Sequence, residues 1–207
     1  MTSRLRLVLA TSNSGKIVEL KALLGDLGVD VLSLAAFPNA PKVSEDFSTY
    51  AENAAAKAHA IARHTGLPAV ADDSGLEVDA LGGRPGVHSA RFAGEPSDDR
   101  RNLEQLLRLL VDVPSERRSA RFRCVMVVAL PDSDRTLVAE GSVDGWIAMA
   151  PRGAGGFGYD PVFVIPSLGR TVAQISADEK HRISHRGQAC ARLREHLVPF
   201  LRASQAS

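Results

Sequence analysis

Apolar and polar positions along the chain alternate between two periods, and the switches between them mark the elements. Residues 5–10 form a short run rich in Leu and Val that breaks at Thr11-Ser12-Asn13-Ser14-Gly15-Lys16, which reads as a strand entering a polar loop. From Ile17 the period becomes helical: Ile17, Leu20, Leu23, Leu24 and Leu27 share one face, Gly28 is a stop signal, and residues 29–34 return as a strand. Thr49 and Glu52 form a capping-box pattern ahead of the stripe Ala54, Ala58, Ile61 and Ala62. Gly66 and Pro68 close that helix. Ala69-Val70-Ala71 is then a short buried strand that ends in Asp72-Asp73-Ser74-Gly75.

Residues 81–94 read as a long loop, and Ser97 as the cap of a third helix carrying Leu103, Leu106, Leu107 and Leu110. Residues 121–130 predict a long strand and 131–134 a turn; 136–141 returns and 143–150 continues, giving a meander-like antiparallel element. A glycine-rich loop over 153–158 leads to a strand at 162–165. Ser176 and Glu179 suggest another capping box, and Ala189, Leu193, Leu197 and Leu201 stripe the last helix. Helices and strands mixed in this order predict an α/β fold with a mixed sheet, in one domain spanning 1–207.

The 44% hydrophobic and 24% charged content is that of a globular chain, and a net charge of +1 argues against coating nucleic acid by bulk electrostatics. The arginines at 100, 101, 117, 118, 121 and 123 are read as a solvated face. Cys124 and Cys190 lie in apolar segments outside any CxxC pair, so buried, reduced thiols are expected. The start of the chain has no long apolar core of a secretory signal, and no segment approaches the ~20 apolar residues of a membrane span. These features point to the cytoplasm.

Five segments can carry chemistry. Thr11 to Lys16 precede a helix, where unpaired N–H groups and the dipole suit a phosphate, with Lys16 adding a charge. They are not a P-loop, because Ala10 and Ile17 stand at its first glycine and its Ser/Thr. A plain polar turn remains the alternative. Asp72-Asp73-Ser74-Gly75 sets two carboxylates against a buried strand, and alternation points them to opposite faces; turn chemistry is the other reading. In the acidic set Glu45, Asp46 and Glu52, Glu52 is explained by its cap, whereas Glu45 and Asp73 would suffice for magnesium.

Gly153, Gly155 and Gly158 satisfy G-x-G-x-x-G, but Pro161 and a β-branched strand follow where a dinucleotide fold opens a helix. Phe157 and Tyr159 suit either stacking on a base or a core. Lys180, His181, Arg182, Ser184, His185 and Arg186 are donors near a helix start that could meet phosphate or base carbonyls.

In this order the segments resemble the inosine triphosphate pyrophosphatase family, also described as dITP/XTP pyrophosphatases. The resemblance runs over 7–197 and rests on six collinear motifs: 10–16, Glu52-Asn53-Ala54 with Lys57, 71–75, Ser89-Ala90-Arg91-Phe92, 155–161 and 183–187. It implies a strongly twisted mixed sheet in two lobes around a substrate cleft, a homodimer, and magnesium-dependent hydrolysis of ITP, dITP and XTP to monophosphate and pyrophosphate, cleansing the nucleotide pool. No nucleic-acid or membrane partner is implied. By the same resemblance Asp73 is the proton acceptor, Asp73 and Glu45 hold Mg2+, and Thr11, Ser12, Asn13, Ser14, Gly15, Lys16 and Ser74 bind substrate. Phe157, Gly158, Tyr159, Asp160, Lys180, His185 and Arg186 would form the base pocket. Ser12 stands where many relatives carry glycine, so a positive φ there would be strained. A pyrimidine- or methylated-nucleotide pyrophosphatase and a non-catalytic nucleotide sensor are the rival readings; a dehydrogenase is the weakest.

Overall fold

In the computed structural model, which describes residues 4–203, the first apolar run is strand β1, Leu5–Leu9, and the helical period that follows is α1, Ser14–Leu24. The chain then forms β2 (Val29–Ser33), α2 (Tyr50–Thr65), β3 (Ala69–Val78), α3 (Asp99–Leu109), β4 (Ser119–Leu130) and β5 (Ser133–Ile147). It ends with β6 (Phe163–Ile165), β7 (Arg170–Thr171), α4 (Ala177–Ile183) and α5 (His185–Ala203). The seven strands make one sheet in the order β2-β1-β3-β4-β5-β6-β7. β1 pairs in parallel with β2 (Leu7 opposite Val31) and with β3, whereas β5, β6 and β7 pair antiparallel. This is the mixed α/β sheet that the pattern predicts, and it is not closed.

Several boundaries differ from the expectation, each for a local reason. Helix α1 begins three residues earlier than its apolar face, because Asn13 caps it by accepting from the Lys16 N–H at 3.0 Å. β3 does not end at Ala71: it runs on through both aspartates to Val78, so Asp72 and Asp73 lie within a strand and not at its end. α3 is capped by Asp98, which accepts from the Arg101 N–H, while Ser97 turns to the Ala90 carbonyl. The returning stretch is one strand, β5, which begins at Ser133 inside the expected turn and ends at Ile147. The last helical stretch is divided at Ser184, whose extended backbone separates α4 from α5.

Two compact units contain these elements. One comprises the chain up to Asp73, Cys124–Gly141 and the chain from Arg186. Its core joins Leu7, Leu9, Leu20 and Leu24 to Met126, Val128, Leu193 and Leu197. The other comprises Ser74–Arg123 and Ser142–His185, with Leu76, Leu106, Phe122, Phe163 and Tyr159 among its core residues. Arg118 is buried in this second unit and donates to the carbonyls of Leu110, Val113 and Ala148, closing the C-terminal end of α3.

No helix among the described residues is long and apolar enough to cross a membrane. Cys124 and Cys190 are free and buried. Burial pushes the Cys190 thiol up to about 12 and drives that of Cys124 upward as well. Thiolate is therefore scarce at neutral pH. Iodoacetamide at pH 8 should label neither cysteine in the native protein and both in urea, read by mass spectrometry; native labelling would contradict the packing.

Candidate active site

The first unit gathers its charges around the middle of β3. Successive strand side chains leave on opposite faces, and the two aspartates follow this rule. Asp72 is 1% exposed and its Oδ2 accepts from Arg186 Nε at 3.1 Å and Nη2 at 2.8 Å, and faces Lys16 Nζ at 3.1 Å. Arg186 also donates through Nη1 to Glu19 at 2.7 Å. Burial pushes the Asp72 carboxyl up, but Lys16, Arg186 and Lys57 outweigh it and hold the group well below the ordinary carboxylate range.

Asp73, on the other face, meets α2. Asn53 Nδ2 donates to its Oδ2 at 3.1 Å, and Lys57 Nζ lies 3.6 Å from its Oδ1. The same ammonium lies 3.2 Å from Glu45 and donates to the Asp72 carbonyl at 2.9 Å. Burial raises the Asp73 carboxyl, and Glu45 raises it further; Lys57, Lys16 and the Asn53 bond act in the opposite direction. The balance lies on the raised side, which brings a carboxylate nearer to the range where a general base works.

Thr11 to Lys16 form the exposed approach to α1. Thr11 Oγ1 accepts from the Asn13 N–H at 3.2 Å, and the first turn of the helix carries no acidic side chain. Ser12 does not have a positive φ: among the described residues Asn39 is the non-glycine residue that does, so the serine costs no backbone strain. Lys16 reaches back from this turn to Asp72, both carboxylate and carbonyl.

The second unit holds Ser74, the glycine-rich loop and α4. Positive φ values at Gly153, Gly156 and Gly158 explain the glycines, and a Cβ on Gly156 would strike the Asp160 carboxylate. A turn and then β6 follow, where a dinucleotide motif would open a helix. Asp160, 3% exposed, accepts from the Phe157 N–H at 2.9 Å and from Lys180 Nζ at 2.5 Å. That ammonium also lies 4.7 Å from the centre of the half-buried Phe157 ring. Gly158 donates to Asp99 at 2.9 Å. Tyr159 lies in the core, its hydroxyl donating to the Ser89 carbonyl at 2.8 Å. His185 stacks on Phe122 with ring centres 4.7 Å apart. Phe122, Asp160, Lys180, Ser184 and His185 line part of one narrow concavity.

The expected residues thus fall into two groups. Thr11 to Lys16, Glu45, Asp73 and Arg186 belong to the first unit, and Ser74, Phe157 to Asp160, Lys180 and His185 to the second. Three Arg186 donor contacts go to Asp72 and Glu19, not to the glycine-rich loop. The sequence pattern marks Lys57 and Asn53 as motif residues without assigning them a role. Their positions on the buried face of α2, where a lysine or an asparagine needs a polar partner, were the signal available.

The fit of a divalent cation can be judged from the donors. Among the described residues no group of three or more His, Cys, Asp or Glu could hold a metal. Glu45 and Asp73 already converge on one ammonium, however, and a pair of carboxylates with water and phosphate oxygens is a set that suits magnesium. The residues present fit such an ion.

The Ham1 family model matches residues 7–196. A dITP/XTP pyrophosphatase of Geobacillus kaustophilus is 56% identical over 189 residues, covering 91% of this chain and 92% of that protein. One of Methylococcus capsulatus is 50% identical over 94% of this chain and 96% of its own length. The solved structure of a HAM1 protein from Coxiella burnetii is 42% identical and superposes with a TM-score of 0.85, covering 94% of this chain and 99% of that one.

Removing one partner of a buried ion pair leaves the other uncompensated, at about 3–5 kcal/mol. Asp72→Asn should therefore lower unfolding stability by about that amount in urea at pH 7. Because the Asp72 pKa is depressed on folding, this contribution is present above the ordinary value of ~3.9 and is lost as pH falls below it. An unchanged urea midpoint would refute the assignment.

Proposed function

The chain belongs to the Ham1 family, and on that footing we propose that it hydrolyses the non-standard purine nucleoside triphosphates ITP, dITP and XTP to the monophosphate and pyrophosphate. The observation that carries this reading is Asp73: a buried carboxylate with a raised pKa, hydrogen-bonded by Asn53 and sharing the Lys57 ammonium with Glu45. A base so held can orient and deprotonate a water for attack at the α–β phosphoanhydride. The N–H groups of the α1 start, the hydroxyl and amide side chains of Thr11 to Ser14, and Lys16 neutralise the triphosphate. Ser74, next in the chain to Asp73, contacts the substrate. Glu45 and Asp73 would hold Mg2+, which supplies charge neutralisation on the phosphate oxygens when bound.

The base is read in the second unit. Phe157 offers a ring face, Gly158 lets the chain approach closely, and Tyr159 braces the loop from the core. Asp160 fixes Lys180, and His185, set by its stack on Phe122, donates to a purine 6-oxo group. Adenine presents an amino group at that position and leaves the donor unsatisfied, which disfavours ATP. Arg186 supports the reading through Asp72, keeping that carboxylate ionised beside Lys16. The whole chain is read as one pyrophosphatase domain, working in the cytoplasm as a homodimer on small-molecule nucleotides.

Pyrophosphate release from ITP and XTP in magnesium, with little from ATP and none in EDTA, is the expected result. Release from ATP as fast as from ITP would overturn the base reading. Asp73→Asn should lower kcat by about 10²–10⁴-fold, the usual worth of a positioned base; full hydrolysis would remove Asp73 from that role. Light scattering should report twice the chain mass.

A further inference from the structure

Asn53 lies on α2 with no exposed surface, and its amide is divided between two places far apart in the chain. Its oxygen accepts from the Phe47 N–H at 3.1 Å, and its Nδ2 donates to the Phe47 carbonyl at 3.3 Å. The same Nδ2 donates to Asp73 Oδ2 at 3.1 Å. An amide nitrogen has two hydrogens, so both are used, and the oxygen holds the N–H of the residue whose carbonyl the nitrogen holds. Of the neutral side chains, Asn and Gln carry two donors and an acceptor on one planar group, and Gln would move that group by a methylene.

Residues 40–46, which lead to the residue that Asn53 grips, carry no regular secondary structure, and Phe47 is 48% exposed. Glu45 stands two positions before the gripped peptide. Its side chain reaches Lys57, one helical turn after Asn53 on α2. The clamp on Phe47 and the bond to Asp73 therefore leave from one side chain, and each ties down one of the two carboxylates.

We propose that Asn53 is a positioning residue that presents Glu45 and Asp73 to a single divalent cation, by fixing the Glu45-bearing segment and the Asp73 carboxylate through one amide. This rests on the functional reading above and deepens it. Asn53 touches neither the ion nor the substrate; it acts through its two partners, as outer-shell groups do at metal sites, where their loss costs about 10–100-fold in affinity.

The test uses Mn2+ alone as the probe, bound to the full chain and read by electron paramagnetic resonance without nucleotide. Wild-type protein that neither binds Mn2+ nor releases pyrophosphate would bring down the functional reading itself. Given binding by the wild type, a folded Asn53→Ala variant should bind Mn2+ about 10–100-fold more weakly. Its magnesium requirement for ITP hydrolysis should rise in step, with KM for ITP at saturating magnesium unchanged. Wild-type ion affinity in that variant, or a rise in KM without a change in ion affinity, overturns the proposal. If Asn53→Ala does not fold, amide hydrogen exchange on the wild type decides. Added Mg2+ should slow exchange at the Phe47 amide, and an unchanged rate there overturns the proposal.

Discussion

The buried Asp72 carboxylate is the constraint on which the first unit's charges depend. Three cations surround β3 at this point: Lys16 from α1, Lys57 from α2 and Arg186 from α5. Each would carry a desolvation cost in an apolar sheet-and-helix interior, and together they would repel one another. Asp72 meets Lys16 and Arg186 with its carboxylate and both lysines with its carbonyl, while Glu19 takes the remaining side of Arg186. The consequence is geometric. The start of α1 and the start of α5 are held against the middle of β3, and Lys16 is kept pointing back from the first turn of α1.

Asp73 gains its character from the same strand by the opposite route. One residue on, the side chain leaves on the other face and meets an amide, a shared ammonium and a second carboxylate, not two dedicated cations. Its carboxyl is raised where that of Asp72 is lowered. Two chemically identical neighbours thus acquire different roles, one as structural counter-ion and the other as candidate base, because alternation along a strand gives them different surroundings. The second unit uses a comparable economy. Asp160 organises Phe157 and Lys180 at once, and Tyr159 braces the loop from within the core.

The periodicity of the chain made most elements legible: both N-terminal strands, α2 with its Thr49 cap and Gly66 stop, and the mixed sheet. It failed where polar residues continued a buried element. Two aspartates and a glycine after Ala71 read as the end of the strand, yet partners from α1, α2 and α5 satisfy the carboxylates and let β3 run to Val78. Tyr159 was open between base and core, because an aromatic residue in a glycine loop has no pattern that separates the two.

The sequence by itself determined the kind of protein: an α/β chain with a phosphate-suited strand-to-helix turn, paired carboxylates beside a buried strand and a glycine-rich loop bearing two aromatics, in the order that marks its family. These are properties of local spacing, and spacing survives without contacts. Only the tertiary structure decided which aspartate is countered and which is raised, that Arg186 turns to Asp72 and Glu19, and that Lys57 and Asn53 join the group around Asp73. Those outcomes depend on which charges and donors meet across gaps of tens of residues. A carboxylate's pKa and an amide's partners are set by that meeting, and no local pattern encodes it.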